Sequence, residues 1–303
     1  MGSMKQISID ASACADSPKN DQVQEGRTHH VSADLAYQRL MIVNLVYFGA
    51  PGSRDRQWAL IDVGLPGTAH FIKRAAAERF GEDSRPACII MTHAHADHAG
   101  ALENLAKEWD VPIFAHELEL PYLNGTAAYP APDPLVGGGL MPALSVLFPR
   151  GPFNVGGWVE RLPADHSVPG MPGWAWLHTP GHTPGHISLW RAADRALIAG
   201  DAFITTNQES VYAVLAQKPE MHGPPMYYTQ NWEQAAESVA RLAMLRPEVV
   251  ITGHGHAMRG AQMRAGLQAL ASQFQQVAVP PRGKYTEHPT SVEAGNAYVV
   301  RGK

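Results

Sequence analysis

Cysteine is scarce, with only Cys14 and Cys88 in 303 residues. Two thiols cannot build a disulfide framework and neither has a metal-ligand spacing, so a reducing, cytoplasmic location is expected. Long apolar runs are also missing. No stretch approaches the roughly 20 consecutive apolar residues that span a bilayer, which removes a membrane partner from the expectations. Lys/Arg runs are absent and the net charge is −4, so nothing provides the basic footprint that grips a phosphate backbone; nucleic acid is not an expected partner. Residues 1–27 lack the basic segment and apolar core of a secretory leader. What is plentiful is histidine, fifteen residues in all, many of them beside Gly, Thr or Asp.

Residues 1–30 are polar and without periodicity, which reads as a loose arm that frays or drapes over the surface. Residues 31–303 read as a single α/β catalytic domain with a loop insertion at about 121–173 and a C-terminal tail at about 280–303. The β-prone runs 40–48 and 58–63, separated by Pro-Gly-Ser, predict a hairpin. Thr68 and Gly81 bracket a helix that buries Ile72, Ala76 and Phe80, and 87–91 looks like a buried strand. A second helix after Asp97 turns Ala101, Leu102 and Leu105 inward, ahead of a short strand at 111–115. The Gly/Pro-rich stretch 121–173 reads as an ordered loop lining or covering a site. Strands are expected at 174–177, 187–190 and 196–199. A helix capped by Asn231 and Gln234 carries Trp232, Ala236, Val239 and Leu242 on one stripe, and a strand follows at 249–252. The second half thus repeats the architecture of the first.

The segment Thr92-His93-Ala94-His95-Ala96-Asp97-His98 lies between a predicted strand and a predicted helix. In extended backbone, residues two apart point the same way, so His93 and His95 project side by side. The turn into the helix re-aims Asp97 and His98, so one short segment can feed two neighbouring metal positions. Further donors are expected at other strand ends. His178-Thr179-Pro180-Gly181-His182-Thr183-Pro184-Gly185-His186 forms a tight loop in which His182 is the preferred ligand. Asp201 follows a short apolar run, where its two oxygens can bridge a metal pair. In Thr252-Gly253-His254-Gly255-His256 the preferred ligand is His254, with His256 behind it or facing solvent. Imidazole and carboxylate donors suit zinc, with iron, manganese and cobalt as alternatives.

Taken in order, Asp62, His93-x-His95-x-Asp97-His98, His182, Asp201 and His254 resemble the five motifs of the metallo-β-lactamase superfamily, over about residues 41–256. The resemblance implies an αββα sandwich of two similar halves with the site at one edge of the sheets. It implies two zinc ions per chain, the first held by His93, His95 and His182, the second by Asp97, His98 and His254, with Asp201 bridging and Asp62 steadying the histidine loop. A hydroxide between two such ions would attack the electrophilic carbon of a lactone, ester, thioester or related group such as an isothiocyanate. Asp97 holds the hydroxide in line and returns a proton to the leaving group.

Within that family the chain is most similar to the lactonase and glyoxalase II-like branch that keeps the bridging aspartate. It departs from acyl-homoserine-lactone lactonases at Ile204, where they carry a tyrosine, and from glyoxalase II at Thr252-Gly253-His254, where a Cys-Gly-His motif is expected. Secreted β-lactam hydrolases generally lack the aspartate at position 201. Mononuclear iron persulfide dioxygenases, which use two histidines and an aspartate, are the alternative outside hydrolysis. Met141, Phe148, His222, Met226, Tyr227 and Tyr228 are the candidate substrate-pocket residues. The expected partner is a small-molecule substrate. A second copy of the chain would dock through an apolar face of the helix at 232–245 or a loop exchange near Gly137.

Overall fold

The computed structural model describes residues 6–15, 28–138, 140–216 and 218–300. The chain divides into two compact units, one taking the described residues of Lys19–Tyr129, Pro149–Trp176 and Val299–Lys303, the other those of Met1–Pro18, Pro130–Phe148 and Leu177–Tyr298. Among the described residues no helix is long and apolar enough to cross a membrane.

The first unit is organised by a seven-stranded sheet in the order Thr28–His30, Leu35–Leu40, Val43–Phe48, Ala59–Ile61, Cys88–Ile90, Ile113–Ala115 and Val159–Arg161. Its first three pairings are antiparallel and the last three parallel. Parallel neighbours need a crossover, and the helix Ala69–Phe80 supplies the one between Ala59–Ile61 and Cys88–Ile90. The helices Ala96–Ala99 and Leu102–Trp109 supply the next. Every residue of Val43–Phe48 is buried, the polar Asn44 included. The predicted hairpin forms, Val46 pairing with Ile61. The run 40–48 is not one strand, however: Met41 adopts φ 57 and the chain doubles back, so that Leu40 pairs with Val43. Met41 is 67% exposed at this turn, an apolar residue where periodicity predicts strand.

Trp58 anchors the core of this unit. It is fully buried, stacks on Phe80 at 4.4 Å between centroids, meets Trp109 edge-on at 5.9 Å, and donates from Nε1 to Ser84 Oγ at 2.9 Å. Gly81 ends the first helix as expected, but Thr68 does not cap its start with its side chain, because its hydroxyl donates to the Leu65 carbonyl instead. The stretch 121–173 contains more regular structure than its Gly/Pro content predicts. Its strand Val159–Arg161 completes one edge of the sheet, so 149–173 builds the scaffold of this unit. Cys88 is buried and donates to the Pro169 carbonyl at 3.1 Å, with burial pushing its thiol up to about 12, which makes it inert.

The second unit carries strands in the order Ile187–Arg191, Ala196–Gly200, Val249–Thr252 and Met258–Arg259, and the expected strand at 174–177 forms as Trp174–His178. Ala196–Gly200 and Val249–Thr252 run parallel, joined by a crossover that includes the helix Trp232–Met244. Asn231 Oδ1 accepts from Gln234 N at 3.1 Å, the cap expected from the sequence. Trp232, Val239 and Leu242 of this helix are buried as the stripe predicts, whereas Ala235 is buried in place of Ala236, which is half-buried, and Met244 is exposed. A further helix, Gly260–Ser272, was not legible in the sequence. Residues 6–15 correct the reading of 1–30 as a loose arm: Ile7–Ser8 pairs antiparallel with Glu220–Met221, and Ile9 is buried against Gly266. Three apolar side chains, Ile7, Ile9 and Ala13, hold this segment down where composition alone gives no period. Residues 1–5 and 16–27 of the arm lie outside the described residues.

Candidate metal centre

In the first unit, the strand Cys88–Ile90 runs out through Thr92 into the histidine segment, and extended backbone at His95 (φ −64, ψ 152) starts the short helix Ala96–Ala99. The His93 and His95 rings lie 4.8 Å apart between centroids, and those of His93 and His98 4.2 Å apart. Donor atoms of His93 and His95 come within 4.8 Å of each other, as do those of Asp97 and His98. The three histidines are buried, whereas the Asp97 side chain keeps 21% of its surface exposed, leaving that carboxylate reachable from outside.

Asp62 orders this segment from behind. Its carboxylate accepts from Thr92 N at 2.8 Å, Thr92 Oγ1 at 2.7 Å and His98 Nδ1 at 2.9 Å. A carboxylate only accepts, so His98 carries its proton on Nδ1 and its Nε2 holds a lone pair. Thr92 has spent its one proton on Asp62, so at 3.0 Å it accepts from His93 Nδ1, which assigns the same tautomer to His93. Asp62 itself sits at φ 58, where aspartate is among the better-tolerated residues. Fixing Nδ1 in this way aims Nε2, as outer hydrogen bonds do around ligating histidines.

In the second unit, three histidines compete within one loop, and hydrogen bonding separates them. His178 Nε2 donates to the Pro184 carbonyl at 2.8 Å. His186 is fully buried, bonds the Thr179 carbonyl through Nδ1 at 3.1 Å and accepts the Asp201 backbone N–H on Nε2 at 2.9 Å. Both His186 nitrogens are thereby used, and the residue acts by fixing where Asp201 sits. His182 Nδ1 donates to Thr229 Oγ1 at 3.1 Å, whose own proton goes to the Pro225 carbonyl. Its Nε2 faces Asp201 Oδ2 at 3.6 Å, and His254 Nε2 faces the same oxygen at 3.1 Å. Two imidazoles therefore converge on one buried carboxylate. His254 is held through its carbonyl by Thr205 and Thr252 hydroxyls at 3.0 and 2.7 Å. His256 is buried rather than facing solvent, and its carbonyl accepts from Thr205 Oγ1 at 2.7 Å.

Gly181, next to His182, sits at φ 130 and presses on the helix Trp232–Met244: a Cβ there would lie 2.3 Å from Ala235 N. Gly181→Ala is therefore expected to cost about 2 kcal/mol through steric and backbone strain. A urea titration would show a lower midpoint at unchanged slope. A midpoint equal to that of the unmodified protein would mean that this close approach is not needed.

The pocket candidates all fall in the second unit, and most of their contacts are packing. Tyr228 donates to the Ser145 carbonyl at 3.1 Å, Tyr227 receives the Asp133 N–H on its carbonyl at 2.8 Å, and Met141 is buried while Phe148 is half-buried. Met226 N donates to Glu209 Oε1 at 2.7 Å, and His222 Nε2 lies 3.5 Å from Glu209 Oε2. Glu209 is a buried carboxylate that periodicity gives no reason to select. Thr229, His186, Glu119 and Tyr129 were missed for the same reason, since no local motif marks a residue whose partner is distant in sequence. Burial, with the Glu119 charge beside it, pushes the Tyr129 hydroxyl well above the usual tyrosine range, so it remains a donor.

A mixed α/β chain that places aligned imidazoles and carboxylates at its strand ends is, by class, a metal-binding protein: the histidine and aspartate clusters are able to hold metal, and N/O donors suit zinc, iron or manganese. A family model of the metallo-beta-lactamase superfamily matches residues 42–254, and the chain belongs to that superfamily. A probable metallo-hydrolase of Bacillus subtilis (strain 168), YflN, is 47% identical over 77% of this chain and 88% of its own length. A second from the same organism, YybB, is 27% identical over 65% of this chain and 74% of its own. A solved beta-lactamase domain protein from Burkholderia ambifaria aligns with a TM-score of 0.58 at 22% identity, covering 86% of this chain and 79% of that one. That likeness speaks to the fold, the α/β sandwich of the superfamily. By these relatives the chain stands among the metallo-hydrolases.

Proposed function

We propose that the chain is a cytoplasmic, zinc-dependent hydrolase of a small molecule with an electrophilic carbon, such as a lactone, ester, thioester or isothiocyanate. The observation that carries this reading is the convergence of His182 Nε2 and His254 Nε2 on Asp201 Oδ2, in a chain that also aligns His93, His95 and His98 beside Asp97. The donors that would hold divalent ions are His93, His95, Asp97 and His98 of the first unit and His182, Asp201 and His254 of the second. Divalent ions at these donors supply Lewis acidity toward a carbonyl oxygen and lower the pKa of water.

The protein's own groups do the rest. Thr92, Asp62 and Thr229 hold three imidazoles in one tautomer, so that lone pairs rather than N–H groups face inward. Asp97, the partly exposed carboxylate, is placed to take a proton during attack and return it to the leaving group. Retention of an aspartate at position 201 supports the lactonase-like and glyoxalase II-like branch over β-lactam hydrolysis. The 47% identity to a probable metallo-hydrolase supports hydrolysis over oxidation.

The test pairs metal analysis of the purified protein with a screen of lactones, esters, thioesters, β-lactams and isothiocyanates. About two zinc ions per chain with turnover of one of these classes is the expected result. One iron per chain with oxygen uptake on a persulfide would overturn it.

A further inference from the structure

The His93–His95 turn is held from a second direction, independent of Asp62. After the strand Ile113–Ala115 the chain forms the short turn Glu117–Glu119, started by His116, whose Nδ1 accepts from Leu118 N at 3.2 Å. The helix Leu120–Leu123 and the two-residue strand Ala127–Ala128 then deliver Tyr129. Glu119 and Tyr129 are both fully buried. Ala94 N donates to Glu119 Oε2 at 3.0 Å and to Tyr129 OH at 3.0 Å, and the Tyr129 hydroxyl donates to the same Glu119 oxygen. The Tyr129 ring stacks on Tyr122 at 3.7 Å and lies 4.4 Å from the His95 ring.

Ala94 is the residue between the two aligned histidines. Its peptide plane sets the backbone twist from His93 to His95, and hence the angle between their rings. A buried N–H left without an acceptor costs free energy, and a bond to a carboxylate is about twice as strong as a neutral one, so the plane is held firmly. The carboxylate also adds a negative charge close to two imidazoles that would face a cation, in surroundings where screening is weak.

We infer that Glu119 and Tyr129 are positioning residues that clamp Ala94 and thereby set how tightly His93 and His95 hold a divalent cation. This rests on reading those two histidines as ligands. Neither residue touches the reacting atoms; both act through the turn.

The experiment measures zinc affinity of the full chain by competition with a chromophoric chelator, for the unmodified protein, Glu119→Gln and Tyr129→Phe, together with thermal unfolding of each after metal has been stripped. Glu119→Gln keeps the volume and an acceptor while removing the charge. It is expected to weaken zinc binding by about 10–100-fold, the range for lost outer-shell partners. Tyr129→Phe is expected to weaken it by less, because Glu119 still receives Ala94 N–H. Metal-free melting temperatures should stay within a few degrees of the unmodified protein. Tight zinc binding that is equal in all three proteins would overturn the clamp while leaving the metal centre standing. Lower metal-free stability with unchanged affinity would make the pair a structural brace and likewise overturn it. Should Glu119→Gln fail to fold, Tyr129→Phe decides by the same affinity readout. An unmodified protein that binds no zinc would remove both the clamp and the proposed metal centre.

Discussion

Asp201→Ala is expected to lower kcat/KM on the best substrate of the screen by about a thousandfold, equivalent to roughly 4 kcal/mol of transition-state stabilisation. The carboxylate is the point toward which His182 Nε2 and His254 Nε2 both turn, at 3.6 and 3.1 Å. Its position is set by its own backbone N–H donating to His186 at 2.9 Å, a contact that alanine retains. The substitution thus removes the charge while leaving the loop anchored, so folding should be little affected and metal content should fall. The measurement is steady-state kinetics alongside metal per chain. Activity within tenfold of the unmodified protein would show that the reaction does not run through this carboxylate, and the shared-donor reading would be lost.

Asp62→Ala is expected to have the next largest effect, and through a different route. Three donors, Thr92 N, Thr92 Oγ1 and His98 Nδ1, end on one carboxylate that is 3% exposed. Removing it strands buried donors, with a cost of about 3 kcal/mol. It also releases His98 and, through Thr92, His93 from their tautomers, so zinc affinity should drop by about 10–100-fold. Both losses should appear together, in the urea midpoint and in chelator competition. A variant that lost stability while binding zinc normally would separate Asp62 from the metal centre. Asp62→Asn gives a finer reading, because its amide can accept from Thr92 but places a donor next to a donor.

The residues clustered in one short segment were legible without coordinates. His93, His95, Asp97 and His98 follow a buried strand and enter a helix, and the period of extended backbone is enough to align the first two. The helix Trp232–Met244 and its Asn231 cap were equally legible, because a cap and a 3.6-residue stripe are local properties. Among His178, His182 and His186, residue types alone could not discriminate. What separates them is which ring nitrogen meets Pro184, within the same loop, or Thr229 and Asp201, which lie outside it.

The same distinction explains the corrections. Composition reads residues 6–15 as part of a polar arm, yet Ile7 pairs with Met221, more than two hundred positions away in the chain. Met41 is apolar and sits in a run of apolar residues, but the turn there is decided by pairing of Leu35–Leu40 with Val43–Phe48. The stretch 121–173 is rich in Gly and Pro, and only the edge of the sheet at Ile113–Ala115 reveals that Val159–Arg161 is a strand.

The sequence by itself determined the α/β class, the strand-end placement of imidazoles and carboxylates, and membership in a superfamily, because periodicity and short spacings act within a few residues of the backbone. The tertiary structure alone decided which nitrogen each histidine presents, that Glu119 and Tyr129 hold Ala94, and that His186 holds Asp201. The bonds of Glu119 and Tyr129 to Ala94, of His182 to Thr229 and of His186 to Asp201 join residues 15 to 47 positions apart, and their geometry exists only once the chain has closed on itself.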